Sequence, residues 1–584
     1  MTVGACSRQN PDVPQTVRPR ESATNAADRP NDSGGHSSAT ATEKSRAPSN
    51  TGEPRFVNIA PEAGITQTLF CGGPEKNHIL ESTGSGCALI DYDEDGLLDV
   101  FVVNAWELAG DPPHVVRRGS NKLYRNLGNG KFEDVTERAG LVSDQWGCGV
   151  CAGDFDNDGH VDLYVTNFGR NCLYRNRGDG TFEEVAEKAG VALKGWSTGA
   201  AFFDSKGDGH LDLYVASYVD CAFDEVLAAK RTNTWRDKIK VMTGPFGLRG
   251  GRDHFFRNKG DGTFVDATDE AGMTDTSESY GLGVAASDLN NDGHVDVFVA
   301  NDSNPNFLYR NDGHGKFKEI GRWSGVGFNA EGAAQANMGI DMADLDGRGL
   351  QDILVTTFAR DSVALYHNNG KLFFTDISAR MGLKDLTYGP VKWGCSFFDF
   401  DNDGQLDIVI VNGHIYPQVD SEPSLGEHYR LPPTLLHNSG GRWTDVSKLA
   451  GPGMQLPISG RGLAVGDINN DGYPDLLITA IDSPPILLRN DTPHRNHWLT
   501  VRLLNRHGSP AINARALVTA RGKTQLREVR SGSTYASQSS FDLSFGLGSA
   551  TEADTLEVVW PGGKRTIRKH VAADQRITVR ENEQ

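Results

Sequence analysis

The chain alternates short apolar runs with acidic, glycine-containing turns, and this pattern predicts β-strands rather than helices. Five-residue runs with at least four apolar or β-branched residues recur along it as VFVVN, LYVTN, LYVAS, VFVAN, ILVTT, IVIVN and LLITA. A short Gly/Ala-rich apolar stretch precedes each run, and in most repeats two more apolar stretches follow, separated by a glycine turn. Four short strands joined by hairpins are typical of one blade of a β-propeller.

An acidic nine-residue motif lies between the first two predicted strands of each repeat. Its seven copies are DYDEDGLLD (91–99), DFDNDGHVD (154–162), DSKGDGHLD (204–212), DLNNDGHVD (288–296), DLDGRGLQD (344–352), DFDNDGQLD (399–407) and DINNDGYPD (467–475). The seventh repeat lacks a fourth strand, whereas residues 55–65 match the fourth-strand pattern. We therefore expect residues 55–60 to close the last blade of an all-β, seven-bladed, integrin α-like propeller, which leaves no free edge on that blade.

The motif D-x-D-x-D-G-x-x-D is typical of a calcium loop. Glycine at position 6 permits the turn that brings the side chains of positions 1, 3, 5 and 9 together. Hard oxygen ligands without Cys or His favour Ca²⁺ over transition metals. An Asp-rich turn without metal is the alternative, but seven recurrences at the same strand boundary count against it.

Five loops carry an oxygen donor at all four positions and are predicted to bind Ca²⁺. Their ligands are Asp91, Asp93, Asp95, Asp99, Asp154, Asp156, Asp158, Asp162, Asp288, Asn290, Asp292, Asp296, Asp399, Asp401, Asp403, Asp407, Asp467, Asn469, Asp471 and Asp475. Lys206 in the third loop and Arg348 in the fifth can place a positive charge where the ion would lie. We expect these two loops to bind weakly or to stay empty.

The net charge of −19 is unevenly distributed. Residues 51–493 carry −26, because residues 1–50 contribute +1 and residues 494–584 contribute +6. An acidic body counts against nucleic acid as a partner. Five divalent ions would offset ten of these negative charges, so the calcium is expected to be structural and its removal destabilising.

Composition divides the chain into three parts. Residues 1–51 are rich in Ser, Thr, Asn and Pro and are expected to form a disordered tether. Val3-Gly4-Ala5-Cys6 resembles a lipobox, so Cys6 is either a lipid-anchored residue or a chance cysteine in a tail. Residues 52–493 hold the propeller repeats. Residues 494–584 show alternating strands with glycine turns, which predict a small β-sandwich or barrel.

The repeats resemble FG-GAP/VCBS repeats, which are also found in integrin α-chains. Six segments resemble the ASPIC/UnbV domain, namely NHWLTVRL (496–503), INARALVTA (512–520), REVRSGSTYASQSS (527–540), LSFGLGSA (543–550), LEVVWPGGK (556–564) and ITVRENE (577–583). Over residues 52–584 the chain thus resembles the cartilage acidic protein family. The resemblance implies calcium binding, secretion or surface display, and an adhesive or interaction role. Because no cysteine follows Cys395, a bacterial relative without a cysteine-rich module is expected.

Three predicted loops between the second and third strands are long, and they are candidates for binding an extracellular glycan or protein. They span 104–121, 217–253 and 412–433 and carry Trp106, His114, Trp235, Arg236, Lys238, Phe246, His414, Tyr416, His428, Tyr429 and Arg430. Aromatic rings beside basic side chains suit a sugar or an acidic glycan. The alternative is that these aromatics hold the long loops together.

Two further hypotheses compete with a binding role at the cell surface or outside the cell. One is a carbohydrate-active enzyme, a lyase or dehydratase, whose acid–base residues in the propeller funnel would come from His254, Tyr388, Lys392, His414 and Arg461. The other is a part of a larger surface assembly that docks through the basic C-terminal domain. The chain contains no P-loop, Rossmann or HExxH motif, and membrane contact is expected only through Cys6.

The cysteines allow, but do not require, an oxidising compartment. Cys148 and Cys151 form a CxxC pair on a predicted inner strand, where positions i and i+3 face opposite sides, so a metal or redox pair is not expected. Cys71 with Cys87 is one candidate disulfide, and Cys172 with Cys221 is a weaker one.

Overall fold

Antiparallel strands dominate the computed structural model, which describes residues 53–228, 232–274, 279–493 and 495–583 of the 584-residue chain. The predicted tether and Cys6 lie outside these described residues. Gly52–Gln584 form one unit. The predicted all-β, propeller-like fold is confirmed.

The repeats fold into four-stranded antiparallel units, and each acidic loop connects the first two strands of its unit. Their strands are Cys87–Ile90, Asp99–Val102, Lys122–Asn126 and Phe132–Asp134 in unit 1; Trp146–Gly153, Asp162–Arg170, Cys172–Asn176 and Phe182–Glu184 in unit 2; Lys194–Phe203, Asp212–Ser217, His254–Asn258 and Phe264–Asp266 in unit 3; Gly281–Ser287, Asp296–Asn301, Phe307–Asn311 and Phe317–Glu319 in unit 4; Asn337–Ala343, Asp352–Thr357, Ala364–Asn368 and Phe374–Asp376 in unit 5; Lys392–Phe398, Asp407–Asn412, Thr434–Asn438 and Trp443–Asp445 in unit 6; Gly460–Gly466, Asp475–Ala480 and Ile486–Asn490 in unit 7. We number the acidic loops 1–7 after these units.

Unit 7 receives its fourth strand from the start of the described chain. Phe56–Asn58 pairs antiparallel with Ile486–Asn490, with Phe56 opposite Asn490. The predicted closure by residues 55–60 is confirmed. The third strand of unit 7, Ile486–Asn490, is thereby paired on both sides, as the third strands of the other units are.

The first strand of each unit lies at the inside of the fold, where glycines let neighbouring strands approach each other. A Cβ on Gly199 would lie 2.6 Å from the backbone oxygen of Leu282, and one on Gly339 would lie 2.2 Å from that of Trp393. In six of the described units the register of this strand shifts at a bulge, as between Ser197 and Ala200. The Gly/Ala-rich stretches before the acidic loops thus reflect close packing between units.

Several short elements lie outside the units. Two additional hairpins are Trp106–Ala109 with His114–Arg118, and Thr232–Trp235 with Ile239–Met242. The α-helices are Ala60–Ala63, Ala186–Ala189, Phe223–Ala228, Thr268–Ala271, Gly321–Ser324 and Leu383–Thr387, and the 3-10 helices are Ile79–Glu81, Pro417–Ser421, Pro423–Leu425 and Pro452–Gln455. Both hairpins and two of the 3-10 helices belong to the long loops predicted from the sequence.

The C-terminal part forms two sheets, as a small sandwich requires. One sheet orders Leu543–Gly548, His497–Leu504 and Gln575–Arg580, and the other orders Lys523–Glu528, Arg515–Ala520, Glu552–Val559 and Arg565–Ala572. Leu499, Phe545 and Trp560 belong to its buried core. The same apolar cluster continues into Phe202 and Phe256 of unit 3, so the C-terminal domain shares a core with the repeats.

All seven described cysteines are free thiols, so both candidate disulfides are wrong. The Cys71 thiol faces the backbone oxygen of Leu80, whereas the Cys87 thiol faces that of Leu477. Cys148 and Cys151 lie in different apolar clusters, so the two thiols pack against different parts of the core.

Candidate metal sites and the domain interface

Backbone amides hold two carboxylates in place across each acidic loop. In loop 2, the amides of Asp158 and Gly159 both donate to Asp154 at position 1, at 3.0 Å. The amides of Phe155 and Asn176 donate to Asp162 at position 9, at 3.1 and 2.8 Å. Positions 1 and 9 therefore have a structural role in addition to any role as ligands.

Three carboxylates converge in loops 1, 2 and 6, the loops with Asp at all four positions. One oxygen of each side chain lies within 4.8 Å of the others in the sets Asp91, Asp93 and Asp99; Asp154, Asp156 and Asp162; and Asp399, Asp401 and Asp407. Three buried oxygens in these sets, Asp91 Oδ1, Asp93 Oδ1 and Asp156 Oδ1, have no hydrogen-bond partner. Buried carboxylate oxygens without donors fit a hard divalent cation.

Burial makes these carboxylates difficult to ionise unless positive charge is added. It raises the pKa of Asp99 to about 8 and that of Asp154 to about 6, against backbone hydrogen bonds that lower both pKa values. Burial also raises the pKa of Asp162 and Asp407 well above the ordinary value. A cation in the loop would remove this penalty.

An arginine on the third strand contacts the outer carboxylates of loops 1 and 2. Arg125 lies 2.6 Å from Asp93 and 3.0 Å from Asp95. Likewise, Arg175 lies 2.6 Å from Asp156 and 2.8 Å from Asp158. Sequence reasoning missed these arginines, although the repeated LYRN segment marks them.

Loop 6 has His437 where units 1 and 2 have arginine. His437, Asp401 and Asp403 bring one donor atom each within 4.8 Å of one another. Sequence reasoning overlooked this histidine, which replaces the arginine of LYRN in the segment LLHN. In loops 4 and 7, the side-chain Nδ2 atoms of Asn290 and Asn469 donate to Asp292 and Asp471, at 2.8 and 2.9 Å.

Loops 3 and 5 differ in how their basic residues lie. In loop 5, Arg348 Nε donates to Asp346 Oδ2 at 2.6 Å, and Nη2 donates to the backbone oxygen of Asn368 at 3.0 Å. Its guanidinium therefore neutralises a ligand of loop 5, as expected. In loop 3, Lys206 is exposed, and its methylenes lie against Gly315 of unit 4. Within the described residues, its ammonium forms no ion pair with a carboxylate of the loop.

A buried asparagine that ends the third strand connects neighbouring loops. Asn258 Nδ2 donates to the backbone oxygens of Leu211 in its own unit and Phe155 in the preceding loop, at 3.0 and 2.7 Å. Equivalent pairs of bonds are made by Asn126, Asn176, Asn311, Asn368 and Asn490. These residues, which we call the linking asparagines, join the loops into one face.

The C-terminal domain lies against this face and contacts all seven loops. Hydrogen bonds join Arg502 to Asp91 in loop 1, Asn513 to Asp204 in loop 3, Arg515 to Asn291 in loop 4, Gly548 to Asn402 in loop 6 and Asn496 to Tyr473 in loop 7. Loops 2 and 5 approach through Gly159 and Gly347, where an added Cβ would lie 2.9 Å from the oxygen of His507 and 3.1 Å from that of Thr524.

One segment of the C-terminal domain, Ser531–Gln538, enters between the first strands of the units, and we call it the central segment. It bonds to the first strands of units 1, 2, 3, 5 and 7 through Cys87, Ala152, Phe202, Ile340 and Leu463. Tyr535 is 2% exposed and packs edge-on against Trp393 of unit 6, with ring centroids 4.9 Å apart. Thr534 and Ala536 adopt positive φ angles of 54° and 48°, a strained conformation held by these contacts. The inside of the fold is thus filled by the chain itself.

The long loops lie at the other ends of the strands and are held by aromatic contacts and one carboxylate. Trp106 packs edge-on against Trp146 and Phe223, with ring centroids 5.9 and 5.4 Å apart. Glu427 accepts from Trp235 Nε1 at 2.7 Å, which connects the long loops of units 3 and 6. The aromatics of the long loops therefore hold these loops together, as the alternative predicted.

Arg360 and His414 complete the surroundings of Glu427. Arg360 Nε donates to Glu427 at 2.8 Å, and His414 Nε2 lies 3.5 Å from it. Burial would raise the pKa of Glu427, but the nearby His414 and the hydrogen bonds from Arg360 and Trp235 outweigh burial and lower the pKa to about 2. Glu427 is thus a stable carboxylate at neutral pH.

Four of the five residues of the enzyme hypothesis make structural contacts, and the fifth, Tyr388, is exposed. His254 faces Asp266 at 2.9 Å, and Tyr388 is 57% exposed. Lys392 is buried and donates to three backbone oxygens. Arg461 is buried, donates to the backbone oxygens of Ser82, Gly413 and Gly460, and stacks on Trp393 at 4.1 Å. Arg461 also donates to the backbone oxygen of His414 at 3.4 Å, which is the one described hydrogen bond between two of these five residues.

Family models match most of the repeats and the C-terminal domain. The model described as FG-GAP-like repeat matches residues 91–165, 154–215, 245–299, 288–355 and 344–410, and the FG-GAP repeat model matches 459–480. The model described as ASPIC and UnbV matches residues 505–584. The chain is an FG-GAP repeat protein with a C-terminal ASPIC and UnbV domain. The acidic loops are therefore features of the FG-GAP repeats, and the central segment belongs to the ASPIC and UnbV domain.

Among curated proteins, the FG-GAP repeat protein is similar to cartilage acidic protein 1. The mouse protein (Mus musculus) is 30% identical over 325 residues, which are 54% of this chain and 47% of the relative. The Xenopus tropicalis protein is 30% identical over 291 residues, which are 49% of this chain and 42% of the relative. The matched part thus spans less than half the length of these relatives.

Two of the solved structures that resemble the FG-GAP repeat protein show weak likeness to it. A lectin from Agrocybe aegerita that recognises non-reducing terminal N-acetylglucosamine is 17% identical, with a TM-score of 0.33, over 64% of this chain and 85% of the lectin. BBS1N from its complex with ARL6DN is 10% identical, with a TM-score of 0.39, over 76% of this chain and 98% of that one. Within the described residues, every helix is too short to cross a bilayer.

Proposed function

We propose that this FG-GAP repeat protein is a calcium-binding, extracellular or cell-surface protein that binds a glycan or a protein partner through its long loops. The buried oxygens without donors, Asp91 Oδ1, Asp93 Oδ1 and Asp156 Oδ1, carry the calcium part of the proposal. They lie in all-oxygen sets, which suit Ca²⁺ and offer transition metals no sulfur or nitrogen in loops 1 and 2. Attachment through Cys6 stays a prediction.

The number of ions is expected to follow the charge in each loop. Loops 1, 2, 4, 6 and 7 have oxygen donors at positions 1, 3, 5 and 9. In loop 5, the guanidinium of Arg348 takes part of the place of an ion. We therefore expect about five Ca²⁺ ions per chain, bound mainly for stability.

Calcium binding can be measured on the whole chain. Protein stripped with EGTA and exchanged into metal-free buffer is titrated with CaCl₂ by calorimetry, and bound calcium is counted by elemental analysis. Asp93→Ala should remove one ion, because it takes the ligand oxygens at position 3 away from loop 1. The matched control is Asp261→Ala, which removes an exposed carboxylate from an outer hairpin of unit 3 and should leave the count unchanged. Absence of bound calcium in the wild-type chain would contradict the proposal.

The partner-binding part rests on the exposed side chains of the long loops. Phe246 is 64% exposed, and the His428 side chain is 70% exposed. The hydrogen bond between Trp235 and Glu427 fixes the buried parts of these loops, so their exposed side chains project from a rigid support. Similarity to cartilage acidic protein 1 supports an interaction role for the chain.

Retention on immobilised acidic and neutral polysaccharides, with calcium and with EGTA, tests the glycan proposal. Retention that requires calcium and is reduced by Phe246→Ala would support it. Phe373→Ala is the control, since Phe373 is 60% exposed on an outer hairpin of unit 5. If the folded, calcium-loaded protein is retained on none of them, the glycan proposal is wrong and a protein partner is the one to seek.

A further inference from the structure

We propose that the cation bound in loop 1 holds the central segment of the C-terminal domain in place, so that metal removal releases this segment from the inside of the fold. The inference rests on the proposed calcium binding. It concerns a part of the chain that the calcium-binding proposal leaves untouched, and it follows from contacts that run without interruption from loop 1 to Ser531–Gln538.

The first contact is made by Asp91, whose two carboxylate oxygens have different surroundings. Asp91 Oδ1 is buried and without a hydrogen-bond partner, whereas Oδ2 accepts from Arg502 Nη1 at 3.0 Å and from the amide of Gly96 at 3.2 Å. The Asp91 side chain is 9% exposed. One oxygen is therefore free for a cation while the other binds the C-terminal domain.

The second contact joins Arg502 to Asp542, which follows the central segment in the chain. Arg502 donates to both carboxylate oxygens of Asp542, at 2.8 and 3.3 Å. Arg576 also pairs with Asp542, and its Nη1 donates to the backbone oxygen of Gly96 in loop 1 at 2.7 Å. The C-terminal domain thus contacts loop 1 at position 1 and at position 6, and both contacts meet at Asp542, four residues beyond Gln538.

The third contact joins the central segment to the strand that leads into loop 1. The amide of Gln538 donates to the backbone oxygen of Cys87 at 2.8 Å, and the amide of Leu89 donates to the oxygen of Gln538 at 3.0 Å. The strand Cys87–Ile90 ends directly before Asp91. A change in the position of Asp91 therefore acts on the central segment both through this strand and through Arg502.

The charges show why an ion would favour the docked arrangement. Four carboxylates, at positions 91, 93, 95 and 99, face two guanidinium groups, those of Arg125 and Arg502. Full ionisation of the four carboxylates would leave two negative charges uncompensated under the C-terminal domain, and a single divalent cation would make the cluster neutral. Burying uncompensated charge is costly, so cation binding and docking should strengthen each other.

Hydrogen exchange read by mass spectrometry tests the inference on the full chain. With saturating CaCl₂, amides of residues 531–540 should exchange slowly. With EGTA, their exchange should rise by about tenfold or more, while the strands Glu552–Val559 and Arg565–Ala572 change little because they lie inside the C-terminal domain. In the presence of calcium, Asp93→Ala should reproduce most of the EGTA effect through loss of the ion in loop 1, since the ion pair of Asp93 is with Arg125 of its own unit and not with the C-terminal domain.

Arg502→Met tests the connecting contact. It should raise exchange of residues 531–540 in calcium and reduce the further effect of EGTA. Arg565→Met is the matched control, because Arg565 pairs with Glu557 on an exposed hairpin of the same domain. Equal exchange of residues 531–540 with and without EGTA, in a protein that calorimetry shows to bind calcium, would overturn the inference and leave calcium binding intact. No calcium binding at all would contradict the proposed function and, with it, this inference.

Discussion

The two ends of the repeat strands are built in different ways. At one end, seven acidic loops of one pattern are fixed by backbone amides, joined by the linking asparagines and covered by the ASPIC and UnbV domain. At the other end, three unlike loops are held by aromatic edges and by Glu427. The difference shows that the repeated end serves the protein's own architecture, and it is consistent with our proposal that an outside partner binds at the irregular end.

Removal of calcium should have the largest effect and should act at the acidic end. At a hundredfold excess over Kd, each bound ion contributes about 2.7 kcal/mol, so five ions contribute on the order of 10 kcal/mol. We expect a large drop in Tm on adding EGTA, measured by differential scanning calorimetry.

A matched addition of Mg²⁺ after EGTA should restore little of this stability, because Mg²⁺ dehydrates reluctantly and prefers octahedral sites. Equal Tm values with CaCl₂ and with EGTA would show that the acidic end is held by hydrogen bonds and arginines alone. The two ends would then be more alike than we conclude.

Loss of one linking asparagine should be the next largest effect. Asn258→Ala removes the donors to the oxygens of Phe155 and Leu211 and leaves two buried carbonyl groups unpaired. A cost of about 2–4 kcal/mol is expected from two such groups. Denaturant unfolding in saturating calcium measures it.

Asn129→Ala is the control, since Asn129 lies on an exposed outer hairpin and only accepts from the amide of Lys131. A shift of less than about 0.5 kcal/mol is expected there. If both variants unfold alike, the bonds between neighbouring loops do not hold the acidic end together.

The sequence predicted the repeated end well because its signals are local and recur. Apolar runs, glycine turns and the acidic motif each follow from strand pairing or from close ligand spacing, so they predict the strands, the loops and the closing strand at residues 55–60. Arg125 and the linking asparagines lie in the recurring segments LYRN, FFRN, LYHN and LLRN. A single polar residue at a strand end does not, however, reveal its partner in another unit.

The irregular end and the inside of the fold could not be predicted in this way. Trp235 and Glu427 are 192 residues apart, and no period relates them. The segment around Tyr535 belongs to the C-terminal domain in sequence and to the inside of the repeats in space. Both arrangements depend on tertiary contacts between parts that are each unremarkable locally, and the two candidate disulfides failed for the same reason.

Neutralising Glu427 should loosen the irregular end without unfolding the repeats. Glu427→Gln weakens the pairing with Arg360 and His414 while keeping an oxygen for Trp235. We expect faster proteolysis within residues 412–433 and 232–242, with a loss of about 1–2 kcal/mol in local stability. Glu183→Gln, which alters an exposed pair with Arg177, is the control and should not change the cleavage pattern.

Acid should have the same effect as this substitution. The pKa of Glu427 is lowered from 4.5 to about 2, so its carboxylate stabilises the folded loops above pH 4.5. This contribution is lost as the pH falls from about 4.5 to 2. Cleavage by pepsin within residues 412–433 should therefore increase over this range in the wild type and change less in Glu427→Gln.

Restoring a ligand in loop 5 should have the smallest effect on stability and the clearest effect on ion count. Arg348→Asp exchanges a guanidinium at position 5 for a carboxylate, while Asp344, Asp346 and Asp352 remain in place. The count of bound calcium should rise by one, since the loop then matches those of units 1, 2 and 6. The matched control Arg177→Asp adds the same charge on an exposed hairpin and should leave the count unchanged. An unchanged count in Arg348→Asp would show that the geometry of loop 5, and not its charge, prevents binding, and the four-carboxylate pattern would then no longer suffice to predict an ion.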